Sequence, residues 1–540
     1  MNKFFIATLV SVAPSMMMAQ SAIDAYQITG NDLNGTARFQ AMGGAFTALG
    51  GDVSSLGQNP AGIGIYRSSE LSLSFDVNMQ SSQSKSLGYS SSKLTQTKSD
   101  FTNAAYVGAV ALNNETMPYF SWGISYNRIA SFERVHAGYI PSIGTSLSNY
   151  VAAFSNGYAP ADLLDETGYN PYQNSDCDWL SILAYNAYAI NPKSSSSTQY
   201  NGLYQNGTDG DASFEVRERG YVDEYNIDFG GNIMNTVYWG LGLGITDMSY
   251  FRDTYYDESM SNARIPDAAA TGTETGSGNI GLGNSKGITG TGVNVKLGLI
   301  FKPVNEFRVG IAVHTPTYYR LSHSYSGYMN YQYSSGYDSF NGSDPESYTD
   351  VASYDSRLNS PWRLMIGAAG VFNGRFILSA DYERVQYNDM KSKYQSYDSW
   401  GTTFVSDDNV NSDISTYYQG SNILRIGGEF RALPWLSFRL GYNYQSSNVK
   451  NDVEEGNYEI YTSGTDPSFT FTKDTQYITA GAGLRYQGLY FDLAYVHQNR
   501  KSTYHAFTDY TEQDNSWASA PTASITENNN KLVFTLGYKF

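Results

Sequence analysis

The chain has one cysteine, Cys177, in 540 residues, so no intrachain disulfide framework holds it together. It has five histidines, His136, His314, His323, His497 and His505. No pair of them has the spacing of a helical zinc site or a neighbouring cysteine, which argues against a bound structural metal. Past the first 19 residues there is no run of about 18 apolar residues, which excludes a membrane-spanning helix. Basic residues are scarce as well: 34 Lys and Arg against 51 Asp and Glu leave a net charge of −17, the wrong sign for a nucleic-acid partner or an anionic lipid surface. What the chain does have is tyrosine (47) and glycine (52), with aromatics at 15% and charged residues at only 16%. The mean hydropathy is still polar, at −0.40. Strands with one lipid-facing side and one wet side, joined by polar loops, produce this mixture.

Residues 1–19 carry Lys3 and an apolar core from Phe4 to Val12, followed by a plausible cut after Ala19, and read as a secretory signal. No cysteine follows the cut to take a lipid anchor. From Glu70 onward, apolar and polar residues alternate with period two, beginning with Leu71, Leu73, Phe75 and Val77 on one face and Ser72, Ser74, Asp76 and Asn78 on the other. The same signal recurs over residues 70–79, 99–111, 119–131, 223–234, 237–251, 287–301, 307–322, 362–372, 376–387, 422–430, 436–444, 477–486, 489–498 and 531–540, which makes fourteen strands. The connections between them alternate between short turns and stretches of 19 residues or more, such as 80–98. That asymmetry, with an even strand count, predicts an all-β fold: a fourteen-stranded antiparallel transmembrane β-barrel with tight turns at one end and long loops at the other.

The later strands divide their charges onto one face. Asp381, Glu383, Arg425, Glu429, Arg439 and Asp492 lie opposite Leu378, Ile426, Phe438 and Leu493. An arginine facing lipid costs about 2–4 kcal/mol at the midplane, so the charged face is expected to line the lumen. The chain ends on Leu532, Phe534, Leu536, Tyr538 and Phe540 in alternation, and an aromatic final residue on such a strand resembles the signal read by the outer-membrane barrel-assembly machinery.

The stretch 24–66 is different in kind, being rich in Gly, Ala, Ser and Asn with no alternating run, and suited to close packing inside a tube. Its order of features, Gly35-Thr36-Ala37-Arg38, Gly43-Gly44-Ala45, Gly51-Asp52 and Asn59-Pro60-Ala61, resembles the N-terminal hatch of the FadL/TodX family of outer-membrane transporters for fatty acids and aromatic hydrocarbons. The segments His314 to Leu321, Ser360-Pro361-Trp362-Arg363-Leu364, Arg425-Ile426-Gly427-Gly428-Glu429 and Arg439-Leu440-Gly441-Tyr442 resemble the same family in the same order. The resemblance implies a signal peptide at 1–19, a hatch at 20–66 inside the lumen of a barrel at 67–540, and residence in the outer membrane of a Gram-negative bacterium. It also implies passive, non-enzymatic transport of a hydrophobic small molecule without a cofactor, with outer-membrane lipid as a neighbour and a lateral exit beside a kinked third strand. Asn59, Pro60 and Ala61 are the expected gate: Pro60 fixes a backbone angle and biases Asn59 toward an extended form, and the Asn59 amide is expected to reach lumen groups such as Arg425 or Glu429.

Other readings compete. A surface adhesin anchored by its barrel fits the Tyr- and Ser-rich loops, and a pair of loop histidines could ligate haem iron. Residues 283–287 fit G-x-S-x-G, but a nucleophile elbow needs a helix after the serine, and here a strand pattern follows. Asn174-Ser175-Asp176 and Asp209-Gly210-Asp211 supply oxygen donors of the kind calcium takes. The longest loop, 132–222, holds two stretches, 148–164 and 179–190, that read as short helices. Their apolar groups either form a landing groove for substrate or pack on one another.

Overall fold

Period-two alternation closes the chain into a ring in the computed structural model, which describes residues 21–112, 114–267, 271–335, 346–398, 401–512 and 516–540. The candidate signal at 1–19 lies outside the described residues. The wall strands are β1 (Glu70–Ser86), β2 (Leu94–Ala111), β3 (Tyr119–Ser131), β4 (Asp209–Ile233), β5 (Val237–Ile265), β6 (Glu274–Val304) and β7 (Phe307–His314). They continue as β8 (Arg363–Phe372), β9 (Phe376–Gln386), β10 (Gly420–Leu433), β11 (Leu436–Gln445), β12 (Phe469–Tyr486), β13 (Leu489–His505) and β14 (Thr522–Lys539). Each pairs antiparallel with its sequence neighbours, and β14 returns to β1 in register from Glu70↔Lys539 to Lys85↔Ser524. The barrel of fourteen strands is therefore closed and leaves no free sheet edge around its membrane band.

Outward positions along the turn-proximal half of each strand form an apolar band: Leu73 and Phe75 on β1, Leu241, Leu243 and Ile245 on β5, Leu297 and Leu299 on β6, Ile426 on β10 and Leu440, 70% exposed, on β11. In water this band would be an aggregation surface. In a bilayer it is the lipid face. Inward positions are mostly polar or glycine, with small apolar patches such as Ala105 and Val107 or Ala494, Val496 and Val533 where the inner segment packs. The turns at the same end are tight, and Asn373-Gly374, with φ of +49° and +61°, is the left-handed pair that joins twisted strands without splaying them.

At the other end the strands run much further than the sequence pattern predicts. The expected loop 80–98 is largely strand, since β1 and β2 continue to Ser86 and from Leu94. β5 has 29 residues, close to 100 Å of extended chain and far more than a bilayer needs. The G-x-S-x-G stretch is interior to β6, paired on both sides and with no helix after it, so no nucleophile elbow exists there. Conversely, the expected seventh strand 307–322 is broken. β7 stops at His314, and the chain resumes as Tyr318–Ser335 after Thr315-Pro316-Thr317, because Pro316 has no N–H for the ladder. β8 is broken opposite it at Pro361, its outer part being Ala352–Asn359.

The long loop 132–208 folds over the outer mouth. It contains helices α3 (Leu147–Phe154) and α4 (Trp179–Asn186), here numbered after α1 (Ala22–Gln27) and α2 (Ala37–Ala41) of the inner segment. Leu180, Ile182, Leu183 and Ile190 are buried against Phe214, Tyr256, Met260 and Phe507. Their apolar groups thus order the loop and do not form an open groove. A second apolar cluster lies beneath it, where Ile23 and Ile28 around α1 meet Tyr250, Leu358, Val410, Tyr418 and Phe471.

Candidate functional site

Residues 21–66 lie within the ring of strands, and the wall is shaped to receive them. A Cβ on Gly298 would sit 1.9 Å from Asn59 Oδ1, one on Gly240 2.2 Å from the Pro60 carbonyl carbon, one on Gly310 2.2 Å from Thr47 O, and one on Gly441 2.2 Å from Gly43 N. These glycines have no turn to make. They are flat places in the wall where another backbone approaches.

Four short helical turns make up the inner segment. α1 begins with a capping box between Ser21 and Asp24, α2 is capped by the Thr36 hydroxyl, and two tight 3-10 turns follow at Val53–Gly57 and Pro60–Ile65. Asn59 caps the last turn, its Oδ1 accepting from Ala61 N at 3.0 Å. Its Nδ2 donates to Thr47 O at 2.6 Å and lies 3.4–3.5 Å from Ile311 O and Leu299 O in the wall. The expected pairing of Asn59 with Arg425 or Glu429 is therefore wrong. The amide is used up by the segment's own backbone, and the arginine and the glutamate bind elsewhere.

The six charged lumen candidates are all buried and face inward. Five of them form two chains, and Asp381 stands apart. Glu429 accepts from Arg439 Nε at 2.7 Å and from Arg38 Nε of the inner segment at 2.8 Å, and Arg439 Nη1 reaches Asp492 at 2.6 Å. Glu383 is held between Arg363, at 2.6 Å, and Arg425, at 2.5 Å. Asp381 accepts Thr47 N at 2.8 Å and Gln58 Nε2 at 3.3 Å. On this side of the barrel, then, wall charges hold the inner segment directly. Arg38 and Arg363 complete these chains, and a separate buried pair, Lys296–Glu224, joins β6 to β4; sequence reasoning singled out none of the four as lumen charges. The signal that could have found them is inward register: Arg363, Lys296 and Glu224 fall on the polar phase of their strands. Higher in the lumen, Asp24 of α1 binds Lys286 Nζ at 3.0 Å and Ser463 Oγ at 2.5 Å. Burial works against its charge, but Lys286 and Ser463 hold its carboxyl below the usual carboxylate range.

Between segment and wall a cavity of about 140 Å³ remains, bordered by Asn127, Glu224, Lys296, His314, Glu383 and Arg425. The lumen at this level is plugged and polar.

On the opposite side the wall itself is interrupted. β2 pairs with β3 only from Asn103↔Asn127 to Ala111↔Tyr119. Above that point β2 pairs with β1 alone, while the chain beyond β3 shifts register at Arg128/Ala130 and continues as Arg134–Ile140 bonded to β4. The two strands part, and contacts through side chains cross the gap: Arg128 Nη1 to Asp100 at 2.7 Å, Lys98 to Glu133, and, further out, Ser82 Oγ to Val135 O and Ser84 Oγ to Ala137 O, both at 2.5 Å. A cleft of about 390 Å³ opens there, bordered by Gln80, Leu94, Gln96, Val135 and Arg219. The parting of β2 from β3 begins next to Phe101 of the apolar band, and the cleft lies further out, from Gln96 and Glu133 upward.

The five histidines are dispersed: His136 faces Glu527, His314 Nε2 lies 2.9 Å from Gln58 O, His323 is 2.8 Å from Ser356 Oγ, His497 is 3.0 Å from Asn530 Oδ1, and His505 stacks on Phe469. Among the described residues no group of three or more His, Cys, Asp or Glu could hold a metal ion, the two acid-rich stretches at 174–176 and 209–211 included. Phe540 pairs with Ser69 through both backbone groups at 3.0 Å and stacks on Tyr538 at the turn end of the wall.

No protein-family model and no curated protein matches the sequence. Solved structures do match. A Pseudomonas aeruginosa FadL homologue aligns over 94% of this chain and 99% of its own, at 13% identity and a TM-score of 0.51. The P. putida toluene transporter TodX aligns over 94% and 99% at 15% identity and 0.47, and the Ralstonia pickettii toluene transporter TbuX over 94% and 99% at 14% and 0.43. The fold is that of a FadL-like barrel.

Proposed function

We propose that the protein is a passive, non-enzymatic channel of the Gram-negative outer membrane that admits hydrophobic small molecules, of the long-chain fatty acid or aromatic hydrocarbon type. In this reading residues 20–66 are a hatch within the barrel 67–540, the corner Asn59-Pro60-Ala61 is its movable part, and cargo leaves sideways through the seam between β2 and β3. The observation that carries the reading is the pairing of a plugged, charge-lined lumen with a wall interrupted at the edge of its apolar band. A greasy molecule gains nothing by crossing a charged lumen, but gains by passing from the outer mouth through the seam into lipid. The kinship in fold with a FadL homologue supports the same reading.

The test is uptake of labelled oleate and labelled toluene by cells that make or lack the protein. Faster entry of at least one of them is the expected result. Equal entry, together with binding of the purified barrel to host surfaces through its loops, would replace transport with adhesion.

A further inference from the structure

The outer face of the wall changes character above the apolar band. On β5 the outward residues after Ile245 are Asp247, Ser249, Phe251, Asp253, Tyr255 and Asp257. On β6, after Val293, they include Gly287, Ser285, Gly283 and Gly281. Tyr255 and Tyr328 stand directly opposite Gly283 on either side. A Cβ on Gly283 would sit 2.1 Å from the Tyr328 ring, and one on Gly281 2.5 Å from Tyr255 Oη, so both rings lie down across the bare β6 backbone. Tyr348, on the short strand Glu346–Tyr348, continues the row. Ring centroids are 6.4 Å apart from Tyr255 to Tyr328 and 5.9 Å from Tyr328 to Tyr348, with planes within 28° and 25° of parallel. The three rings keep 38%, 40% and 61% of their surface open.

We infer that this row is a platform for the sugar head group of the outer-leaflet glycolipid, an inference that rests on the outer-membrane reading above. Height selects the occupant. Tyr255 is ten residues past Ile245 on the same outward face. That is about 33 Å along a strand tilted by about 45°, or roughly 23 Å above the lipid band. Whatever projects upward from the adjoining lipid meets the rings there, and in that layer it is saccharide. The chemistry agrees. Near-coplanar tyrosine faces stack on the C–H faces of pyranose rings, and the Asp257 carboxylate at the rim can accept from sugar hydroxyls. The charge around the rings is net acidic: beside the Arg219–Asp253 and Arg217–Glu215 ion pairs stand Asp257 and Glu346, the latter accepting from Tyr348 Oη at 2.8 Å, so the platform takes the neutral sugars of the head group and not its phosphates.

The test uses the full-length barrel folded into vesicles, with two lipopolysaccharides as probes: one with its complete core sugars, and one trimmed to lipid A. Wild type should bind the complete form more tightly. Tyr255→Ala/Tyr328→Ala/Tyr348→Ala should weaken that binding about tenfold and leave the trimmed form unaffected, while the triple Phe variant keeps wild-type affinity. If the triple Ala variant does not fold, Tyr348→Ala alone should still reduce binding severalfold, since that side chain is the most exposed of the three. Equal affinity of wild type for both forms overturns the inference, as does an Ala variant that binds like wild type or a Phe variant that does not. Failure of wild type to insert into any vesicle would sink the membrane reading instead, so the two failures are distinguishable.

Discussion

The two sides of the barrel hold the inner segment in opposite ways. Along β9 to β14 the contacts are buried and charged: Arg439 and Glu429 have side-chain exposures of 0% and 2%, and Arg38 completes the chain from within the segment. Along β2 to β4 the segment rests on small apolar contacts, Val53, Leu56 and Ile63 against Ala105 and Val107, with hydrogen bonds such as Asp32 N to Ile129 O at 2.9 Å and Asn232 Nδ2 to Gly64 O at 3.3 Å, and the seam beside it is crossed by a wetter pair, Lys98–Glu133, with side-chain exposures of 41% and 15%. Removing one partner of a buried pair strands the other, whereas a wet pair is replaced by water. One side is therefore an anchor and the other a yielding edge. On the proposed reading, a hatch that shifts without leaving the barrel needs both.

The largest effect should come from Glu429→Ala, which leaves two buried guanidinium groups without their shared carboxylate and should cost about 3–5 kcal/mol. Lys98→Ala across the seam, at a side chain 41% exposed, should cost about 1 kcal/mol or less. Denaturant titration of the folded band on unheated gels compares them, and equal losses would erase the asymmetry. Gly298→Val comes next. It drives a side chain into Asn59 at the corner and should cost roughly 1–3 kcal/mol, with faster amide exchange confined to residues 59–65 and altered substrate uptake. Exchange unchanged at those residues would show that the corner has slack. The smallest is Asn59→Ala. It loses the cap on Ala61 N and should cost about 1 kcal/mol while changing uptake in the same direction as Gly298→Val. Changes of opposite sign would separate the two residues.

The band and the lumen were legible because lipid on one side and water on the other enforce period two, so the inward charges at Asp381, Glu383, Arg425, Glu429, Arg439 and Asp492 stood out by phase alone. The strand ends were not. Beyond Met79 the outward residues of β1 are Ser81, Gln83 and Lys85, as polar as the inward ones, and a strand with two wet faces reads as a loop. The seam was hidden for the same reason, since Thr95 to Asp100 alternate polar with polar. Asn59 went to the wrong partner because a short polar side chain in a compact loop satisfies its own backbone first, a choice set by Thr47, twelve residues away, and invisible to local pattern. The wall glycines were read as composition, although their inward phase marks where the segment docks.

Closing the seam tests the account most directly. With Cys177→Ser as background, Lys98→Cys and Glu133→Cys place thiols at a contact that spans the gap, and a short cleavable linker can join them. The control, Lys501→Cys and Thr526→Cys, joins β13 to β14, where the ladder is already continuous. Uptake of the hydrophobic substrate should fall to the level of cells lacking the protein when the seam is linked, return when the linker is cleaved, and stay unchanged in the control. Undiminished uptake through a barrel shown to be fully linked at the seam would contradict lateral release.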